Sequence, residues 1–160
     1  MPIRSLLGAL TFMAMALTSY AGVSVTYDDP DRFTDVADRN TDPRKAMDEL
    51  AQHLRALGRR YLAPEANLAI HVIDLDRAGR PWRDLPTELR VVNGKLDAPC
   101  IELEWRLGTP PDASAPRRER ICDRAFLRRL ETGYSEHDPL VYEKRMLDTW
   151  FRARFAVNGK

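Results

Sequence analysis

CIELEWRLGTPPDASAPRRERIC, residues 100–122, decides the fold, because its two halves predict each other. Ile101, Leu103, Trp105 and Leu107 alternate with Glu102, Glu104 and Arg106, the period of a strand with one apolar and one charged face. GTPPDASAP at 108–116 is a loop, and Arg117–Cys122 returns as a second strand. With the turn centred on Pro111, Cys100 falls opposite Cys122, and Ile101 opposite Ile121. Glu102 then meets Arg120 and Glu104 meets Arg118, so apolar, charged and sulfur pairs all agree on one register. A bridge between Cys100 and Cys122 would stabilise the fold by about 3 kcal/mol on the chain-entropy model; the alternative is two reduced thiols buried separately.

Working outward, NLAIHVIDLD at 67–76 is apolar on both faces, as a strand inside a sheet would be. Leu68, Ile70 and Val72 face one way; Ala69, His71, Ile73 and Leu75 face the other. Val23, Val25 and Tyr27 form a short strand before it. Between the two, Asp42 caps and Pro43 opens an amphipathic helix carrying Met47, Leu50, Leu54, Leu57 and Tyr61 and ending before Pro64. Residues 77–87 are a connection, Glu88–Val92 a third short strand, and Asn93-Gly94 a turn. Asp123–Leu130 predicts a short helix. Asp138-Pro139 starts a terminal helix whose stripe is Tyr142, Met146, Leu147, Trp150, Phe151 and Phe155. The expected architecture is a single two-layer α+β domain: a β-α-β unit, an antiparallel β meander, and helices on one face of the sheet. The other face is open, with an apolar row at Ala69, His71, Ile73 and Leu75 near Trp82, the place for a partner or a homodimer.

The N-terminus predicts export. Arg4 precedes an apolar run to Leu17, and Ser19-Tyr20-Ala21 presents small residues to a signal peptidase, with cleavage between Ala21 and Gly22. The run is shorter than the roughly 20 residues that span a bilayer. Residues 1–21 are thus read as a signal peptide and 22–160 as one domain, with no transmembrane segment once the leader is removed. Without Arg4 the 25 basic residues become 24, balancing 24 acidic ones, so nothing favours a nucleic-acid partner. Two cysteines in an exported chain favour a disulfide.

FTDV at 33–36, DLDRAGR at 74–80, IELEW at 101–105 and YEKRMLDTWF at 142–151 stand in an order that resembles a family of exported proteobacterial proteins, domain of unknown function 3016. The resemblance covers essentially the whole chain after residue 21. It implies a periplasmic or secreted α+β protein and no assigned activity. Cys100 and Cys122 depart from the family's usual pattern.

Candidate chemistry centres on HVIDLDRAGR, 71–80. Asp74, Asp76 and Gly79 match positions one, three and six of a calcium loop, but Ala78 and Leu85 stand where oxygen ligands are required. As a carboxylate pair, Asp74 and Asp76 stand roughly 6.6 Å apart along a strand, near the spacing of inverting glycosidases. Yet neighbours on one strand lie on the same side of any scissile bond. The simplest reading has the strand leaving the core after Val72, with Asp76 bonding amides of the turn before Gly79. His53, His71 and His137 show no metal-ligand spacing. Ser135-Glu136-His137-Asp138 is too crowded for a hydrolase triad. RRERICDRAFLRR at 117–129 reads as a solvated basic surface. No metal or cofactor is expected. The sequence favours a non-catalytic envelope module binding a partner protein or small ligand, with Asp74, Asp76, Gly79 and His71 as ligand-binding candidates. The alternative is a periplasmic hydrolase using Asp74 and Asp76.

Overall fold

The computed structural model describes residues 22–36, 42–82, 89–108, 112–128, 134–135 and 138–156, without the side chains of Trp82, Leu89 and Lys95. The predicted leader, Ala21 and His137 lie outside them, and so does the Trp82 side chain. Strand β1 (Gly22–Tyr27) leads through a 3-10 turn (Pro30–Arg32) to helix α1 (Pro43–Tyr61) and strand β2 (Asn67–Asp76). Strands β3 (Arg80–Trp82) and β4 (Leu89–Val91), a second 3-10 turn (Gly94–Asp97), β5 (Cys100–Leu107), β6 (Arg117–Cys122) and helix α2 (Val141–Phe155) follow. The fold is α+β: a mixed sheet ordered β1-β2-β5-β6, parallel only at β1-β2, packed against two helices, with β3-β4 as a separate small hairpin.

Sequence and structure agree where local chemistry dictates. The Asp42 carboxylate accepts the Arg44 amide at 2.9 Å and Pro43 opens α1. Leu50, Leu54 and Leu57 face the sheet, where they meet Leu68, Ile70, Val72, Ile101 and Leu103, all but sealed from solvent. Gly58 lets α1 approach β1, since a Cβ there would overlap Val23. From α2, Met146, Leu147, Trp150, Phe151 and Phe155 complete the core, with Phe155 edge-on to Trp105 at 5.1 Å. At the margin, Glu119 accepts the indole N–H of Trp105 (2.9 Å) and of Trp150 (3.2 Å) and both Nε and Nη2 of Arg154. Burial raises its carboxyl, but these bonds outweigh it and hold the group below the ordinary range.

The hairpin register is the predicted one. Cys100 pairs with Cys122, Ile101 with Ile121, Glu102 with Arg120 and Glu104 with Arg118, and the two sulfurs are bonded. The ion pair that forms is the diagonal one, Arg118 to Glu102 at 2.7 Å, rather than either directly opposed pair.

Four expectations need correction. The strand at 89–91 does not join the meander; it folds back on residues 80–82, because the Arg90 guanidinium is drawn off to Asp35 and to the carbonyls of Ala78 and Gly79. Residues 124–128 form successive turns, with no helix. Helix α2 starts at Val141, and Asp138 caps the turn before it by accepting the Leu140 amide at 2.9 Å. Most consequentially, β2 does not simply leave the core after Val72. The register against β5 shifts between Val72 and Asp74, so Ile73 is an extra residue, a β-bulge. Beyond it every side chain changes face: Leu75 turns into the core, 0 % exposed, opposite Ile101. Asp74 and Asp76 turn onto the open face with Glu102. The expected apolar row is therefore broken: Leu75 leaves it for the core, and Ala69 and His71 share the face with Thr26, Glu102, Glu104, Arg106, Arg118, Arg120 and the two aspartates.

Candidate functional site

Three segments meet at the end of the sheet beyond the bulge. FTDV comes alongside β2: the Asp35 amide donates to the Leu75 carbonyl at 2.9 Å, and the Arg77 amide donates to the Asp35 carbonyl at 3.3 Å. The Asp35 carboxylate takes the Arg90 guanidinium in a two-point pair, Nη1 to Oδ2 at 2.7 Å and Nη2 to Oδ1 at 3.1 Å. From α2, Glu143 accepts the Ala78 amide on Oε1 at 2.7 Å, and Arg77 Nη2 donates to the Pro139 carbonyl at 3.1 Å. The Gly79 amide goes to the Asp97 carbonyl at 3.0 Å. Gly79 has φ 77°, and a Cβ there would sit 2.7 Å from the Val91 carbonyl oxygen, so the turn requires glycine.

These contacts overturn the expected role of Asp76. The amides of Arg77, Ala78 and Gly79 each have another acceptor, so Asp76 does not cap the turn. Its carboxylate takes no hydrogen bond among the described residues. Desolvation first, then the charges of Asp35 and Asp74, raise its pKa; Arg120 and Arg80 oppose them in part. Asp74 is fully engaged: Oδ1 accepts the Thr34 amide at 2.7 Å and Oδ2 the Thr34 hydroxyl at 2.8 Å.

Asp76 and Gly79 line a cleft of about 620 Å³. Its walls come from the first 3-10 turn and FTDV (Pro30, Phe33, Thr34), from Arg80 and Pro81, and from the second 3-10 turn (Leu96, Asp97). Leu96 is 84 % exposed, an apolar side chain presented to solvent at the rim. Arg80 bonds Asp97 through Nε at 3.0 Å. The cleft thus offers proline and leucine surface beside a carboxylate that has no counter-ion bond among the described residues.

Of the four sequence candidates, the structure brings Asp76 and Gly79 into the cleft and sets Asp74 beside it, tied to Thr34. His71 stands elsewhere on the open face, its ring nitrogens 3.0 Å from Thr26 Oγ1 and 3.0 Å from Asp28 Oδ1. No group of three metal-ligating side chains converges among the described residues. Sequence reasoning missed Asp35, Arg90 and Glu143. No helix or strand period marks a half-buried ion pair between a loop and a three-residue strand. Only Glu143 gave a signal, standing at a position of α2 adjacent in helical phase to the apolar stripe.

A second polar cluster joins the helices. His53 Nε2 lies 2.8 Å from Asp148 Oδ1, and the Tyr134 hydroxyl donates to Asp148 Oδ2 at 2.6 Å. Burial raises the Asp148 carboxyl, but the bonds from His53 and Tyr134 dominate and lower it.

Among the described residues no helix is long and apolar enough to cross a membrane, and the disulfide is consistent with an oxidising, extracytoplasmic compartment. The family model for a protein of unknown function, DUF3016, matches residues 21–153. No curated protein and no solved structure matches the chain.

Proposed function

The chain belongs to the DUF3016 family of unknown function, and from that premise we propose that it is a non-catalytic binding module of the cell envelope. It is exported to the periplasm by removal of residues 1–21, and it holds its ligand in the cleft at the end of the sheet. One observation carries the reading: a cleft of about 620 Å³ pairs exposed apolar surface with an Asp76 carboxylate that none of the described residues bonds. A carboxylate in that setting favours a cationic group attached to an apolar body, which restores the missing counter-charge as it buries Leu96 and the prolines. An envelope protein segment with a lysine or arginine, or a small amine, has that chemistry. The open sheet face is charged and gives a homodimer no apolar seam, so the cleft is the better place for a partner.

The hydrolase alternative loses its second carboxylate. An inverting pair needs one group free to activate water, and both Asp74 oxygens are held by Thr34. His71 is committed to Thr26 and Asp28 on the open face.

Photo-crosslinking in the intact cell tests the proposal. A crosslinker replacing Leu96 should capture a discrete partner, and the yield should fall at least several-fold in Asp76→Asn. The same crosslinker at Arg106, on the opposite end of the sheet, should capture nothing specific. Equal capture from both positions, or capture indifferent to Asp76, would sink the reading. Intact mass of the purified cell-envelope protein should show Gly22 as its first residue.

A further inference from the structure

At the end of the open face, Asp76, Cys100 and Cys122 form one cross-strand row on β2, β5 and β6. Directly opposed residues of antiparallel strands point to the same face with Cα atoms about 4.5–5.5 Å apart, so the three side chains stand side by side. Cys122 is exposed on the sheet's edge strand, whereas Cys100 is half-buried between two neighbours. An incoming thiolate therefore reaches the Cys122 sulfur from solvent, and the sulfur that must leave, on Cys100, is next to a carboxyl. In the following row Arg120 stands on the Cys122 side, on the same face, where its charge favours an approaching thiolate. The register here already rests on the strand ladder, the Ile101–Ile121 pair and the Arg118–Glu102 ion pair.

We propose that the Cys100–Cys122 bridge is a thiol–disulfide exchange site for dithiol proteins of the extracytoplasmic compartment, with Cys122 as the sulfur attacked and Asp76 as the proton carrier for Cys100. A partner thiolate bonds to Cys122 Sγ; the Sγ–Sγ bond breaks, its electron pair goes to Cys100 Sγ, and that sulfur takes the proton of the Asp76 carboxyl. The partner's second thiol loses its proton to solvent and attacks the partner sulfur of the mixed disulfide. Cys122 leaves as a thiolate and is protonated by water, and Asp76 recovers its proton from solvent. The partner is oxidised by two electrons and the bridge reduced by two. In the reverse direction the Asp76 carboxylate takes the Cys100 proton as the bridge re-forms.

The charged groups around Asp76 come from every neighbouring element: Asp74 on its own strand, Asp35 beside it, Glu102 on β5, Arg120 on β6, Arg80 on β3 and Asp97 after it. Burial with Asp35 and Asp74 keeps the acid form to higher pH than an ordinary aspartate. The site does not depend on the cleft having a ligand.

Reduced glutathione is the probe. The full oxidised chain is reacted between pH 4.5 and 8, quenched by alkylation, and mapped by peptide mass, with rates divided by the thiolate fraction. Circular dichroism checks that each variant is folded. The expected adduct is on Cys122. Asp76→Asn should slow the step about tenfold at pH 5 and progressively less toward pH 8, and Asp76→Glu should restore the rate with a shifted profile. An adduct on Cys100, no reaction without denaturant, or an unchanged pH profile in Asp76→Asn with the fold intact overturns the proposal. A misfolded Asp76→Asn leaves the decision to the wild-type adduct position and the Asp76→Glu profile.

Discussion

Replacing Glu143 tests the junction on which the cleft is built. Its side chain is 1 % exposed and bonds the Ala78 amide through Oε1 at 2.7 Å, while Oε2 has no hydrogen-bond partner among the described residues. Ala78 is also 1 % exposed, so Glu143→Met, which keeps the volume but deletes the acceptor, strands a buried N–H at a cost of about 1–3 kcal/mol. Glu143→Gln keeps the carbonyl oxygen for Ala78 and cannot ionise. Desolvation raises the Glu143 pKa, with the Ala78 bond and the charges of Arg77 and Arg90 pulling it back in part. A carboxyl whose folded value lies above its unfolded one binds more proton in the folded chain. Its ionisation therefore lowers stability as pH rises from the ordinary glutamate value of 4.5 through the folded value, and the loss persists above it. Glu143→Gln should accordingly gain on wild type as pH rises from 4 to 8, while Glu143→Met stays destabilised throughout. Urea unfolding followed by far-UV circular dichroism reads both differences. If the gap between Gln and wild type is flat with pH, or Gln is as damaged as Met at pH 8, the buried-acid account is wrong.

Asp148→Asn should cost about 1–3 kcal/mol at pH 7, because its charge-assisted bonds to His53 and Tyr134 are weakened and its side chain is only 21 % exposed. The lowered Asp148 pKa contributes stability above the unfolded value of 3.8 that is lost as pH falls through the folded one, so melting curves of wild type and variant should draw together as pH falls below 3.8; parallel curves would count against it. Gly79→Ala should lose about 1–3 kcal/mol by forcing a side chain into φ 77° against the Val91 carbonyl. Limited proteolysis should then cut first in the β3-β4 hairpin, and a variant as stable and as resistant as wild type would refute the contact.

Much of this molecule was legible because its information is local or mirror-symmetric. Asp42-Pro43 states where α1 starts, and the Cys, Ile and charge pairs of 100–122 state how two strands align. Neither needs knowledge of anything distant. The β3-β4 hairpin was not legible, since strands of three residues owe their position to one side chain, Arg90, and its partner Asp35 lies 55 residues away. Turns at 124–128 replace the expected helix although Ala125, Phe126 and Leu127 suit one; Phe126 is instead buried edge-on against Tyr142 at 5.0 Å. Tertiary packing overrode propensity there.

The bulge at Ile73 shows why the site was harder to read than the fold. Without it, strict alternation would put Asp74 and Asp76 beneath the helices with Leu68, Ile70 and Val72, two carboxylates in a core that offers them no counter-charge. It would also leave Leu75 in solvent. One extra residue reverses both outcomes, sealing Leu75 over Ile101 and delivering the aspartates to the open face. The sequence contained the conflict, an apolar face that turns acidic at position 74, but two resolutions satisfy it: a strand that leaves the core, or a strand that slips by one residue. Only the partner strand decides. Ile101 needs an apolar neighbour and Glu102 faces outward with Arg118, so β5 rewards the slip. The carboxylate in the cleft is thus a consequence of core packing on the neighbouring strand. Deleting Ile73 should return Asp74 and Asp76 to the core face, so that the chain either fails to fold or loses the cleft; a stable deletion variant with Asp76 still on the open face would show that something other than β5 sets the register.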